Sequence, residues 1–161
     1  MDDVLVIGYG NPGRLDDGLG PAFADAIAGE PLSGVTVDSN YELTVEDSDA
    51  VSRHKVTIFV DASVNGREPF FFHRIHPKPA LSFSSHSVDP ENLLAMAEEL
   101  FQAEPVGYAL GIRGYEFNEF GECLSPAAQE NLAAALQYML PVLKNKNFSE
   151  FITGQGNRND S

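Results

Sequence analysis

Gly8-Tyr9-Gly10-Asn11-Pro12-Gly13-Arg14-Leu15-Asp16-Asp17-Gly18-Leu19-Gly20 stands between a short apolar run, Val4 to Ile7, and a helical stripe of Leu19, Ala22, Phe23, Ala26 and Ile27. The run is β-branched and ends in glycine, which predicts a strand; the i, i+3, i+4, i+7, i+8 spacing of the stripe predicts an amphipathic helix, stopped by Gly29. A glycine-rich turn from strand to helix is the opening of an α/β fold. Glycine lets the backbone turn sharply and approach a partner closely, so this junction is also the first candidate for ligand chemistry. Gly8, Gly10 and Gly13 fit the G-x-G-x-x-G spacing of a dinucleotide site. Asp16 and Asp17 at the helix mouth argue against it, because they repel the pyrophosphate that a helix N-terminus should attract. The plain alternative is a tight turn with an acidic first helical turn that the helix dipole favours.

The rest of the chain continues the alternation. Val35 to Val37 predicts a second strand ending at Asp38, and residues 44–54 a short helix opened by Thr44. Val56 to Val60, apolar throughout but for Thr57, predicts a central strand ending at Asp61 and buried on both faces, as in a parallel sheet. Phe70 to His76 predicts a fourth strand, at an edge because Pro69, Pro77 and Pro79 bracket it. Asp89 and Pro90 open a helix with Leu93, Met96, Ala97, Leu100 and Phe101 as its apolar face. Val106 to Ile112 is the fifth strand. Ser125 and Pro126 open the last helix, with the stripe Leu132, Ala135, Leu136, Met139, Leu140 and Leu143, and Pro141 as a potential kink. The expectation is one three-layer α/β/α domain over residues 1–144, of phosphorylase/hydrolase-like type, with a mostly parallel five-stranded sheet. Residues 145–161 are polar and expected to form a mobile tail.

The 161 residues carry 10 Lys and Arg against 24 Asp and Glu, a formal charge of −14. Phosphate neutralisation supplies most nucleic-acid affinity, so nucleic acid is a poor partner; a cation or a basic segment of another protein suits this surface better. Cys123 is the only cysteine, which leaves no intramolecular disulfide and no thiolate cluster, and it is expected to be a small buried or partly buried side chain. Met1-Asp2-Asp3 lacks the basic and apolar segments of a signal peptide, and no apolar run has the length of a membrane span. A cytoplasmic protein without membrane contact is expected.

Ligands of open α/β sheets bind at the carboxyl ends of the strands. Asn11, Asp16 and Asp17 follow the first strand, Asp38 ends the second, Asp61 ends the third, and His86 lies just before a helix. Two carboxylates and one imidazole with open positions suit a borderline divalent metal such as nickel or zinc. Each has a plainer role: Asp17 at a helix N-terminus, Asp61 as a turn former, His86 as a loop histidine. Asp16 is the weaker ligand of the pair, because adjacent helical residues point in different directions. Arg14 is a candidate to orient a carboxylate or a peptide group. His54, His73 and His76 have no carboxylate arrangement beside them and read as surface or sheet-edge residues. A His-Glu-x-x-His helix and Gly-x-Ser-x-Gly are both absent from the sequence, and Cys123 has no evident histidine partner.

Gly8-x-Gly10-Asn11-x-x-Arg14-x-Asp16-Asp17-Gly18-x-Gly20 resembles the N-terminal signature of the hydrogenase maturation proteases, which trim the C-terminal extension of nickel-iron hydrogenase large subunits. Val60-Asp61-Ala62 and Leu124-Ser125-Pro126 are similar too, so the resemblance spans roughly residues 4–143, a single-domain extent. It implies that Asp17, Asp61 and His86 are metal ligands and catalytic residues, with Asn11, Arg14 and Asp38 binding substrate. It also implies a nickel-iron hydrogenase large-subunit precursor as partner and nickel supplied by that precursor, zinc or another divalent ion being able to occupy the site in vitro. Family members often follow the second-strand aspartate with a glycine-rich turn, whereas here Asp38-Ser39-Asn40-Tyr41-Glu42-Leu43 follows, which changes the substrate-binding edge. Gly10-Asn11-Pro12-Gly13 is similar to the opening of the peptidyl-tRNA hydrolases, but Arg14-Leu15-Asp16-Asp17-Gly18 replaces the Thr-Arg-His-Asn-like segment expected there, and the charge disfavours a tRNA substrate. A catalytically silent metal-binding or nickel-sensing protein would use the same ligands.

Overall fold

The structure is a computed structural model that describes residues 3–79 and 88–148. Five strands form one sheet in the order β2-β1-β3-β5-β4: β1 Val4–Tyr9, β2 Val35–Asn40, β3 Val56–Ser63, β4 Phe70–Ile75 and β5 Val106–Arg113. The first, second, third and fifth strands run parallel, and β4 lies antiparallel on the edge beside β5. The helices are α1 Leu19–Ala28, α2 Asp47–Ser52, α3 Pro90–Phe101 and α4 Pro126–Asn145, with a 3₁₀ turn, Leu15–Gly18, leading into α1.

Alternation along the strands divides the core in two. Val4, Val6, Ile58, Val60, Leu110 and Ile112 face α1 and α4. Leu5, Ile7 and Phe59 face the other way, with Val51 of α2 and Leu93, Leu94 and Ala97 of α3. Both faces of the sheet are therefore covered, which is why its central strands read as continuous apolar runs.

Several boundaries differ from the sequence expectation, each for a physical reason. β2 and β3 do not end at their aspartates: Asp38 stays in the ladder opposite Ile7, and Asp61 opposite Gly111, because a parallel ladder is made by backbone groups and tolerates a polar side chain at the rim. The helix expected over residues 44–54 is confined to Asp47–Ser52, since Thr44 donates its amide to the Asp47 carboxylate (2.9 Å) and forms the turn before the helix. In α3, Leu94 and Ala95 are buried, while Leu100 and Phe101, expected in the core, are 63% and 44% exposed on the last turn. α4 runs unbroken through Pro141, and its buried line is Ala128, Asn131, Ala135, Met139, Val142 and Leu143. The packed structure continues past residue 144: Phe148 is buried and stacks on Tyr108 at 5.4 Å between centroids. The tail from residue 149 onward lies outside the described residues. Cys123, expected to be buried or partly buried, is exposed, because the segment between Gly121 and the Ser125 cap runs over the surface. Among the described residues no helix is long and apolar enough to cross a membrane.

Close backbone contact sets where α1 begins. A Cβ on Gly20 would stand 2.4 Å from the Tyr9 carbonyl oxygen and 2.6 Å from that of Val60. The helix start is thus pressed against the ends of β1 and β3, which brings the glycine-rich loop over the sheet's carboxyl edge.

Candidate active site

Gly10 adopts φ 140° and hands its amide to the Asn40 carbonyl (3.0 Å), tying the loop to the end of β2. Asn11 then folds the turn: its side-chain oxygen accepts the Gly13 amide at 2.8 Å, and its own amide donates to the Asp17 carboxylate at 2.8 Å. Asp17 is half-buried, and among the described residues the Asn11 amide is the donor that holds it, on one oxygen.

Its neighbour does something different. Asp16 is fully buried, and its carboxylate accepts four hydrogen bonds from across the chain: the amides of Tyr115 (2.8 Å), Glu116 (3.0 Å) and Ser125 (2.7 Å) and the Ser125 hydroxyl (2.7 Å). Burial by itself would raise its pKa, but the donors from Ser125, Tyr115 and Glu116 outweigh it and hold the carboxyl below the usual range. Backbone bonds reinforce the clamp: Leu15 donates to the Gly121 carbonyl and Gly121 to that of Gly13, both at 2.8 Å. Arg14 is drawn into the same contact. It is exposed, reaches the Phe117 carbonyl at 3.4 Å and lies 5.5 Å from the centre of the Phe120 ring.

Asp61 comes to the rim from β3, on the face shared with Phe59, and accepts the Ala62 amide at 2.8 Å. Its carboxyl is pushed up to about 6, by burial first and then by the negative charge of Asp17, against the bonds from Ala62 and the Tyr9 hydroxyl. The Asp17 charge thus acts on Asp61, and a cation held by both would relieve that repulsion. Each carboxylate is fixed by a backbone amide and keeps oxygen lone pairs open, so the donor chemistry fits a divalent metal. His86 lies outside the described residues. Among those described, no three His, Cys, Asp or Glu side chains gather into a metal set.

Asp38 stands apart. It is exposed on β2, where its charge, after burial, helps raise the Asp47 carboxyl against the Thr44 hydrogen bond. Beyond it, Ser39, Asn40 and Tyr41 line an open groove with Pro12 and Pro21, next to the glycine-rich loop. Tyr9 was not among the candidates. It follows the glycine that closes the apolar run, yet alternation carried through Gly8 would have put it on the face of Ile7 and beside Asp61.

The raised Asp61 carboxyl carries a stability consequence. A folded-state pKa above the unfolded value of about 3.9 gives stability that is present below that value and lost as pH rises through about 6. A shift of this size is worth up to ~3 kcal/mol, which solvent screening reduces to about 1–2 kcal/mol. Asp61→Asn removes the charge and keeps an oxygen for the Ala62 amide. It is expected to raise the urea midpoint at pH 7.5, with the gain vanishing near pH 4; a variant less stable than wild type at pH 7.5 contradicts the assigned repulsion.

No family model matches the chain, and no curated protein matches it in sequence. Solved structures do. The hydrogenase maturating endopeptidase HybD from E. coli superposes with a TM-score of 0.71 at 21% identity, over 90% of this chain and 94% of that one. The chain shares the fold of the hydrogenase maturation proteases. The [NiFe] hydrogenase maturation protease HycI from Thermococcus kodakarensis KOD1 gives a TM-score of 0.69 at 20% identity over 88% of this chain and 92% of that one. The hydrogenase 2 maturation peptidase from Thaumarchaeota archaeon SCGC_AB-539-E09 gives 0.63 at 21%, over 88% and 98%. The maturation-protease fold thus extends over nearly the whole of each chain.

Proposed function

We propose that this protein is an endopeptidase that removes the C-terminal extension of a nickel-iron hydrogenase large-subunit precursor once nickel is in place. The observation that carries the reading is the placement of Asp17, in the loop after β1, and of Asp61, near the end of β3, at the carboxyl edge of a sheet with the maturation-protease fold. Two carboxylates clamped by the Asn11 and Ala62 amides suit a metal that another protein already partly coordinates, and they suit metal-assisted hydrolysis. Nickel arrives with the substrate, so cleavage reports that the metal has been inserted. His86 is proposed as the third ligand. The groove along Ser39, Asn40 and Tyr41, beyond Asp38, offers an edge for the precursor's chain, and the net charge of −14 favours a basic segment there.

The reading is tested by incubating the protein with nickel-loaded precursor and following the precursor's intact mass. A loss equal to the C-terminal extension is expected. Stable association with an unchanged mass would identify a silent metal-binding protein instead, and release of peptide from peptidyl-tRNA would identify the esterase.

A further inference from the structure

Among the described residues β2 is an end strand of the sheet, and half of its backbone is in use. The Asn40 carbonyl accepts the Gly10 amide and the Gly34 carbonyl accepts the Val4 amide, both at 3.0 Å. In a parallel ladder the amide and carbonyl of one residue point to the same side and successive residues alternate, so Thr36 and Asp38 also turn to β1. Val35, Val37 and Ser39 therefore turn their amides and carbonyls outward, where no described strand pairs with them. Open strand edges are commonly blunted by proline or lysine, and Val35–Asn40 contains neither. Space lies along this edge as well. On the α1 side an open groove of about 320 Å³ is lined by Ile27, Leu32, Val35 and Val37. A second groove, of about 340 Å³, lies between Pro12, Pro21, Ser39 and Tyr41 and reaches the glycine-rich loop. On the opposite face Asp38 stands in register with Ile7, and the Asn40 side chain donates to the Asp47 carboxylate at 3.5 Å, so two carboxylates flank the same edge.

We propose that β2 receives the precursor's C-terminal extension as an added antiparallel strand, with small or apolar side chains toward the α1 groove and basic ones toward Asp38 and Asp47. The identity of this occupant rests on the proposed function. Its direction follows from where cleavage falls: the extension begins at the scissile bond, by Asp17 and Asp61 at the carboxyl edge, and runs back from there past Ser39 toward Val35. An antiparallel strand suits this sheet, since β4 pairs with β5 in that sense on the other edge. The six residues of β2 offer roughly 20 Å of edge, the length of roughly six extended residues. Main-chain bonds to Val35, Val37 and Ser39 would supply affinity, and the two faces would supply selectivity. A second copy of this chain is a poor occupant, because its own β2 carries Asp38 and each chain has a net charge of −14.

Amide hydrogen exchange, followed by NMR on the wild-type protein with and without a synthetic peptide of the extension, tests the docking directly. The amides of Val35, Val37 and Ser39 are expected to exchange about tenfold more slowly or less with the peptide, while those of Thr36 and Asp38, already bonded to β1, change little. Val37→Pro deletes one outward amide and spares the ladder to β1, so the variant should fold. With nickel-loaded precursor its KM is expected to rise about tenfold while kcat stays within about twofold, the pattern of lost binding. Asp38→Asn is expected to weaken the peptide about fivefold at low salt and less at high salt. Exchange that is unchanged, or slowed evenly over the whole sheet, would overturn the docking, as would a wild-type KM in folded V37P. Wild-type protein that leaves the precursor uncut would overturn the proposed function, and the exchange pattern, which needs no cleavage, would still decide whether the extension pairs with β2.

Discussion

Replacing Asp16 by alanine is expected to destabilise the protein by about 3 kcal/mol or more, a large share of an ordinary total stability. The argument is one of unsatisfied donors. Three backbone amides and one hydroxyl converge on this fully buried carboxylate, and without it each loses a charge-assisted partner in a place water does not reach. The Ser125 hydroxyl also accepts the Ala128 amide, so the α4 cap loosens with it. Asp16→Asn keeps the shape but sets an amide NH₂ against N–H donors, and it should fold with a lowered urea midpoint. The sign with pH follows from a depressed pKa: the stability Asp16 supplies is present above about pH 4 and is lost as pH falls through the folded value. The difference in midpoint between wild type and D16N should therefore be large at pH 7 and shrink in acid. Equal midpoints at pH 7 would contradict the clamp.

Asp17, one residue along, should behave in the opposite way. It is half-buried and bonded to one amide, so Asp17→Ala is expected to change stability by less than about 1 kcal/mol. Its effect falls on chemistry. If it is one of the carboxylates that meet the precursor's nickel, its loss should slow cleavage by about a thousandfold, ~4 kcal/mol of barrier. Circular dichroism and a single-turnover cleavage assay separate the two outcomes. A folded D17A protein that cuts at the wild-type rate would remove Asp17 from the site. In the proposed reading, adjacent carboxylates divide the work, one holding the loop and the other facing the substrate.

That division was only half legible in the sequence. The glycine-rich junction and the β-branched runs disclosed the α/β layers, because both are local signals: a Gly-dense turn and an apolar period. Helical geometry was enough to separate Asp16 from Asp17 by direction. What Asp16 does was hidden, since its partners Tyr115, Glu116 and Ser125 lie 99 to 109 residues away and no local pattern announces them. Asp38 and Asp61 were read as strand ends because aspartate is depleted in strands, yet the ladder passes through both. Leu100 and Phe101 fit the helical period but stand on the exposed last turn of α3, where the helix ends at Gln102 in a left-handed cap. Tyr9 was missed because glycine ended the expected strand two residues early; continuing the alternation would have found it.

The most direct measurement of the central claim is the cleavage rate of the same precursor with and without nickel, followed by intact-mass spectrometry at matched protein concentrations. The account predicts rapid loss of the C-terminal extension from the nickel-loaded precursor and none from the nickel-free form, even with free nickel present in the buffer. Cleavage of both forms at the same rate would contradict it.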